Sequence, residues 1–281
     1  MITAPFDYEA PAELDEAIGL LAQHGDDAKL LAGGHSLLPL MKLRLAAPSL
    51  LVDLRRVPGL RGVEREDGGW RIGAMTRHVQ LQESPDLGVV CHAASLIADQ
   101  QVRNRGTIGG SLAHGDPASD LPTVVLALEG EVTARGQGGE RTIAARDLFE
   151  DYLTTTLAPD EVITSVHLPA LDGWSWGYEK FTRRAEDWAM VGVCALVRRA
   201  PDGSCEDARV GFTHMGSTPL RATATEEALR GGTLDAAGIA RAADLAAEGT
   251  DPPGDLNATP DYKRHLARVL TRRALEAAAG S

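Results

Sequence analysis

Lys29-Leu30-Leu31-Ala32-Gly33-Gly34-His35-Ser36-Leu37-Leu38-Pro39-Leu40-Met41-Lys42-Leu43-Arg44-Leu45, closed by Ser49-Leu50-Leu51-Val52-Asp53-Leu54, decides how the N-terminal part of this chain folds. Lys29 to Ala32 reads as a short buried strand, and Ser49 to Leu54 as the next one. Between them, Gly33 and Gly34 let the backbone turn sharply and approach a ligand closely, because they lack a Cβ. Ser36 stands where it can cap a helix predicted over Leu37 to Leu45, leaving unpaired N–H groups at its start. Spare donors at a helix start favour a phosphate. Residues 29–54 are therefore expected to form a β-loop-α-β unit with an anion site at the loop. Lys42 and Arg44 are as well explained as solvated side chains. The loop is not Walker A, since no Gly-Lys-Ser/Thr follows at the required spacing, and it is not Gly-x-Gly-x-x-Gly. Nor is it a hydrolase nucleophile elbow, because Ser36 lacks the second flanking glycine.

A second glycine loop lies at residues 107–122, Thr107-Ile108-Gly109-Gly110-Ser111-Leu112-Ala113-His114-Gly115-Asp116-Pro117-Ala118-Ser119-Asp120-Leu121-Pro122. A helical run from Leu87 to Ala98 precedes it, and Arg103-Asn104-Arg105-Gly106 breaks that pattern. Gly109 and Gly110 again permit close backbone approach, while Thr107 and Ser111 offer hydroxyls. Asp120 precedes the apolar run to Leu128, where a carboxylate suits a helix start. It can equally accept hydrogen bonds from ligand hydroxyls. Either loop alone is well explained as a tight turn capped by Ser or Asp. The pair points instead to one large anionic ligand held from two sides.

Outward from these loops the chain reads as three regions. Residues 1–58 hold a helix near Leu14 to Gln23 and the first β-α-β unit. Residues 59–172 hold strands near Trp70 to Gly73, Glu131 to Ala134 and Glu161 to Leu168, with helices between. Pro169 to Gly173 looks like a domain boundary. Beyond it come strands at Trp176 to Thr182, Met190 to Arg199 and Ala208 to Met215. Helices follow at Ala222 to Arg230, Asp235 to Ala247 and Pro260 to Ala278. Strands followed by helices predict an α+β C-terminal domain, with the stripe Leu266, Val269 and Leu270 packing on its sheet. No internal repeat stands out.

At 281 residues the chain is long enough for two domains with substantial cores. A formal net charge of −12 argues against a nucleic-acid partner. Neither a charged-then-apolar N-terminal signal nor a long apolar run stands out, so a soluble intracellular protein is expected. The three cysteines, Cys91, Cys194 and Cys205, match no disulfide, zinc or iron–sulfur spacing. His35 and His114 have no second ligand at metal-like spacing, so no metal site is expected.

Both loops match, nearly residue for residue, the two flavin motifs of the FAD-binding medium subunits of molybdenum hydroxylases, and the chain most resembles the aerobic carbon monoxide dehydrogenase branch. Ile97 to Gly106 resembles that family's lead into the second motif. Gly177-Tyr178-Glu179-Lys180-Phe181, followed by Arg183-Arg184 and Asp187-Trp188-Ala189, resembles the family as well, and near the end Asp261-Tyr262-Lys263-Arg264 and Arg272-Arg273-Ala274-Leu275 resemble its closing helix. The resemblance implies an α+β fold: a two-part PCMH-type FAD-binding domain over 1–172 (parts about 1–58 and 59–172), then a domain over 174–281 of a three-stranded antiparallel sheet with a helical bundle. It also implies residue roles. Ala32, Gly33, Gly34, His35, Ser36 and Leu37 would cradle the FAD pyrophosphate. Thr107, Gly110, Ser111 and Ala113 would hold the flavin from the other side, and Asp120 would bind ligand hydroxyls. Lys180 would complete the cleft, Trp188 would stand beside the isoalloxazine ring, and Val102 and Ile163 would be apolar walls. Without the resemblance, Lys180 is an ordinary exposed strand lysine, Trp188 a surface or core aromatic, and Arg103, Arg105, Arg183 and Arg184 solvated or salt-bridged charges.

The resemblance further implies an oxidoreductase subunit that does not touch the organic or gaseous substrate and carries no acid–base residue of its own. The molybdenum cofactor and 2Fe-2S clusters would sit on a large and a small partner subunit, with the whole doubled by symmetry into a dimer of heterotrimers. The flavin would pass electrons to a quinone, NAD or oxygen, and Lys180 would stabilise negative charge on the reduced ring. Location would be cytoplasmic, or peripheral at the inner membrane face through the complex. The substrate of the complex could instead be a purine or nicotine-type heterocycle. Readings from other classes are a non-redox module binding NAD or a coenzyme A ester, and a structural subunit that has lost its cofactor; the intact glycines at both loops weigh against the latter.

Overall fold

The computed structural model describes residues 2–66 and 68–280; Met1 and Ser281, which bound the expected domains, and Asp67 lie outside the described residues. The first part runs β1 (Asp7–Glu9), α1 (Leu14–His24), β2 (Ala28–Leu31), α2 (Leu37–Lys42) and β3 (Leu50–Asp53). The strands form a parallel sheet in the order β1-β3-β2. β3 is central and buried at all four positions, as a strand flanked on both sides must be. β2 is only half covered, with Lys29 exposed. Ala17, Ile18 and Leu21 of α1 pack on Leu50, Val52 and Leu54, giving this part its own core.

α2 ends three residues before the predicted Leu45. Arg44 takes a left-handed φ of 63°, its amide bonds to the Met41 carbonyl at 3.2 Å, and the Leu45 amide to the Leu40 carbonyl at 2.9 Å. That pair of bonds is a Schellman stop, here with arginine where glycine is usual.

The second part holds β4 (Val63–Glu66), β5 (Gly69–Gly73), α3 (His78–Gln82), α4 (Val89–Ser95), α5 (Gln100–Arg103), α6 (Ile108–His114) and α7 (Asp120–Ala127). Then follow β6 (Glu131–Gly136), β7 (Gly139–Ala144), α8 (Ala145–Leu148), β8 (Phe149–Asp151), β9 (Thr154–Thr155) and β10 (Val162–Pro169). Its main sheet is antiparallel, in the order β4-β5-β10-β6-β7. The single helix predicted over Leu87 to Ala98 is shorter, because Gly88 turns with a φ of 55° after a 3-10 turn at Pro85–Leu87. Arg103 does not break the pattern but closes α5, which Asp99 caps by accepting from the Val102 amide at 2.8 Å.

The third part has β11 (Trp174–Phe181), β12 (Val191–Arg199), β13 (Cys205–Thr213) and β14 (Leu220–Arg221), followed by α9 (Thr223–Leu229), α10 (Ala236–Asp244) and α11 (Pro260–Gly280). The sheet is antiparallel in the order β11-β12-β13-β14. It therefore has a fourth strand beyond the three expected, two residues long and too short to carry a periodic signal. Leu266, Leu270, Ala274 and Leu275 of α11 share a core with Val193, Ala195, Val197 and Phe212, and Val269 is half-buried.

α7 joins the second and third parts. All eight of its residues are buried. Thr123 donates from its hydroxyl to the Phe212 carbonyl at 3.0 Å and accepts from the Thr213 hydroxyl at 2.8 Å. At its C-terminal end Glu129 pairs with Arg209 at 2.8 Å and Arg221 at 3.2 Å. Asp120, its first residue, bonds to Tyr178 and Lys180 of β11.

Candidate functional site

The two glycine loops meet through their backbones. A Cβ built on Gly33 would stand 2.5 Å from the Arg105 carbonyl oxygen and 2.8 Å from Gly106 Cα, so only glycine allows this approach. Gly34 turns the chain with a φ of 82°, a conformation that side-chain-bearing residues rarely adopt.

Among the described residues, the amides of Gly33, Gly34, His35, Ser36 and Leu37 have no hydrogen-bond partner within the protein. The next amide, Leu38, donates to the Gly34 carbonyl at 3.1 Å. The Ser36 side chain makes no cap bond. Consecutive unpaired amides form a concave donor set suited to an anion. With α2 only six residues long, these local donors matter more than any helix dipole.

The second loop does not repeat this arrangement. Ile108 donates to the Thr76 carbonyl at 3.1 Å, Gly109 to Ala74 at 2.9 Å and Ser111 to Thr107 at 3.0 Å. The Thr107 hydroxyl accepts from the Gly110 amide at 3.2 Å and so caps α6. The amides from Ile108 to Ser111 are thus taken up within the protein, unlike those from Gly33 to Leu37.

Both loops line one cavity of about 610 Å³. All fifteen residues named from the sequence line it: Ala32, Gly33, Gly34, His35, Ser36, Leu37, Val102, Thr107, Gly110, Ser111, Ala113, Asp120, Ile163, Lys180 and Trp188. They come from all three parts of the chain. Ile163 sits beside a slip in the register between β10 and β6, an irregularity of the kind that re-aims side chains near sites. Trp188 is 56% exposed at the cavity rim. Lys42, Arg44, Arg183 and Arg184 are exposed and do not line the cavity.

Asp120 and Lys180 meet each other inside the fold, a pairing that neither the helix-start reading of Asp120 nor the exposed-strand reading of Lys180 contains. Each side chain is only 4% exposed, and they pair at 2.8 Å. The other Asp120 oxygen accepts from the Tyr178 hydroxyl at 2.6 Å, and Lys180 also donates to the Leu96 carbonyl at 2.9 Å. Burial pushes the Asp120 carboxyl above its ordinary range, while the Lys180 ammonium and the Tyr178 hydroxyl pull against it. Burial and the adjacent carboxylate push Tyr178 well above its ordinary range, so it remains a phenol and a donor. Of the three Lys180 protons, two are engaged and one is left for the cavity.

Sequence reasoning did not select His78, Lys29, His114, Glu186 or Asp187, which also line the cavity. His78 is nearly buried and its Nδ1 lacks a partner. Burial, with His35 and Arg103 near by, lowers its pKa to about 4. Its ring fills the space a Cβ on Gly106 would need, so Gly106 was the one local signal for it. Among the described residues no group of three or more His, Cys, Asp or Glu could hold a metal ion.

Residues 4–171 match the family described as the FAD binding domain in molybdopterin dehydrogenase, and residues 176–278 the CO dehydrogenase flavoprotein C-terminal domain. The chain is 43% identical to the carbon monoxide dehydrogenase medium chain of Hydrogenophaga pseudoflava, over 99% of this chain and 98% of the other. It belongs to this family of molybdopterin dehydrogenase flavoproteins. The fold agrees: a solved carbon monoxide dehydrogenase structure from Hydrogenophaga pseudoflava, lacking the Mo-pyranopterin moiety, superposes with a TM-score of 0.96, covering 100% of this chain and 99% of that one. Another member, the 6-hydroxypseudooxynicotine dehydrogenase complex subunit alpha of Paenarthrobacter nicotinovorans, is 41% identical over 96% of this chain and 93% of its own. Both glycine loops fall within the residues matched to the FAD binding domain. No helix among the described residues is long and apolar enough to cross a membrane.

Proposed function

We propose that this chain is the FAD-binding electron-transfer subunit of a molybdenum hydroxylase, accepting electrons from 2Fe-2S clusters on a partner subunit and delivering them to an external acceptor. The observation that carries this is the row of unpaired amides from Gly33 to Leu37, opening into the cavity where the second glycine loop forms the facing wall. That cavity fits a ligand with an anionic centre and apolar ends. The amides of Gly33 to Leu37 hold the pyrophosphate, with Ala32 beneath them. Thr107, Gly110, Ser111 and Ala113 form the opposite face. Val102 and Ile163 are apolar walls, and Trp188 covers the ring. Asp120 and Lys180 form a nearly neutral pair, so Lys180 contributes one directed N–H rather than a free positive charge.

When bound, FAD supplies the redox chemistry, linking one-electron clusters to a one- or two-electron acceptor. The chain binds it, orients it and excludes water from it. The domain division is proposed at residues 1–172 and 174–281, the first divided near 58. A large molybdenum-binding subunit and a small iron–sulfur subunit complete the assembly, as a dimer of heterotrimers in the cytoplasm or at the inner membrane face. The acceptor is a quinone, NAD or oxygen.

Carbon monoxide is the first candidate substrate of the complex, on the 43% identity to the carbon monoxide dehydrogenase medium chain. The 41% identity to the 6-hydroxypseudooxynicotine subunit keeps an N-heterocycle-type substrate as the second reading. The test is the visible spectrum of the purified chain after incubation with FAD and desalting, followed by anaerobic reduction. A retained flavin band that bleaches on reduction supports the proposal. Absence of flavin both in the isolated chain and in the complex purified with its partners refutes it. Oxidation of carbon monoxide or of an N-heterocycle by that complex decides the substrate class.

A further inference from the structure

The loop between β11 and β12, residues 182–190, carries Glu186, Asp187 and Trp188 to the cavity rim. Its own hydrogen bonds stay within the hairpin: the Asp187 amide to the Arg184 carbonyl at 3.1 Å, the Arg184 amide to Asp187 Oδ2 at 3.1 Å, and the Met190 amide to the Phe181 carbonyl at 2.8 Å. Among the described residues one hydrogen bond ties this loop to the rest of the protein. It joins His214 Nδ1 to the Ala189 carbonyl at 2.9 Å, next to Trp188.

His214 is itself held from three sides. Its amide donates to the Pro117 carbonyl at 2.8 Å, in the turn leading to Asp120. Its Nε2 lies 3.3 Å from the Lys263 ammonium. Lys263, on α11, is completely buried and pairs with Asp255 at 2.6 Å. The remaining Asp255 oxygen accepts from the amides of Asn257 at 2.7 Å and Ala258 at 2.9 Å. This arrangement fixes the tautomer. A carbonyl at Nδ1 requires a proton there, and an ammonium at Nε2 requires a lone pair there. A completely buried lysine that has no contact with the cavity is costly unless its hydrogen bonds are satisfied, and here they are used to aim an imidazole.

Resting on the flavin reading above, we infer that His214, oriented by the Lys263–Asp255 pair, is a positioning residue that sets Trp188 against the bound cofactor. The device connects the C-terminal helix to the cofactor cleft through a single side chain. It couples the rim loop to the second glycine loop as well, since His214 also anchors Pro117.

His214 has a left-handed φ of 64°, which dictates the variants. His214→Asn keeps an N–H donor in the place of Nδ1 and tolerates this backbone. His214→Gly tolerates the backbone but removes the donor. With the full-length chain, FAD affinity is measured by titration, and the ring environment by visible circular dichroism of the bound flavin. The expected result is three- to tenfold weaker binding and an altered flavin dichroism in His214→Gly, with both restored to within twofold of native in His214→Asn. In a Trp188→Leu background, His214→Gly is expected to add less than twofold further loss, because the two act through one contact.

Lys263→Met leaves residue 214 in place and is expected to weaken FAD two- to fivefold, again only when Trp188 is present. It serves if His214→Gly fails to fold. Equal behaviour of His214→Gly and His214→Asn, or losses that multiply with Trp188→Leu, overturns the inference while leaving the flavin site intact. A native chain that holds no FAD, alone or in its complex, overturns the flavin reading and this inference together.

Discussion

Gly33→Ala tests most directly how the two loops form one site. The added methyl would meet the Arg105 carbonyl oxygen at 2.5 Å and Gly106 Cα at 2.8 Å. Both are backbone atoms, so no rotamer relieves the clash, and ordinary contact needs a separation nearer ~3.5 Å. The loops must part by roughly 1 Å, which displaces the unpaired amides of Gly33 to Leu37 from the opposite wall. Overpacking of this kind costs about 1–3 kcal/mol. If the strain falls on the bound state, that corresponds to roughly 5- to 150-fold weaker FAD binding. If it falls on the fold, Tm drops by several degrees instead. FAD titration and thermal unfolding of the same preparation separate the two. Gly110→Ala is the companion: its methyl would face the Thr107 hydroxyl at 2.8 Å, a single atom on a side chain, and should cost less. Gly33→Ala binding FAD within twofold of native, with unchanged Tm, would refute the claim that the close approach builds the site.

Removing Lys180 as Lys180→Met strands the buried Asp120 carboxylate, and chemical denaturation should show a loss of about 3–5 kcal/mol, with the double variant Asp120→Leu/Lys180→Met costing less than the sum of the single changes. His78 stays neutral in the fold down to pH of about 4 but takes up a proton near 6.5 when unfolded. The unfolded chain therefore binds more protons between those values, and stability should fall by up to about 3 kcal/mol as pH drops from 6.5 through 4, a slope that His78→Gln should flatten. Asp255 acts lower on the scale: burial raises its pKa, but Lys263 and two backbone amides outweigh this and bring it from 3.8 to about 2. Its contribution, about 2 kcal/mol at most after allowance for a side chain 30% exposed, is present above pH 3.8 and lost as pH falls through about 2; acid titration of Asp255→Asn against native should show no such step in the variant.

Much of this protein was legible without coordinates. Apolar runs and periodicity located β2, β3, β10 to β13 and α9 to α11 within a few residues: β3 and β12 are buried on both faces and read as continuous apolar runs, while the helices bury one stripe that repeats at 3.6 residues. The glycine pairs marked both loops, since a missing Cβ is the sequence trace of a close approach, and the resemblance built on those loops named fifteen residues that line one cavity. What local pattern could not supply was contact between distant segments. β4 and β7 are largely exposed and carry no alternation, and β14 is two residues long. The end of α2 depends on one arginine adopting a conformation that sequence assigns to glycine. The difference between the loops, five free amides in one and satisfied amides from Ile108 to Ser111 in the other, arises because the Thr76 and Ala74 carbonyls and Thr107 take up the second loop's donors. Tertiary packing alone brought Asp120 and Lys180 together as a buried pair and placed Lys263 behind His214. Sequence records which residue types the chain can bury; only the folded arrangement decides which polar groups meet once water has been removed from around them.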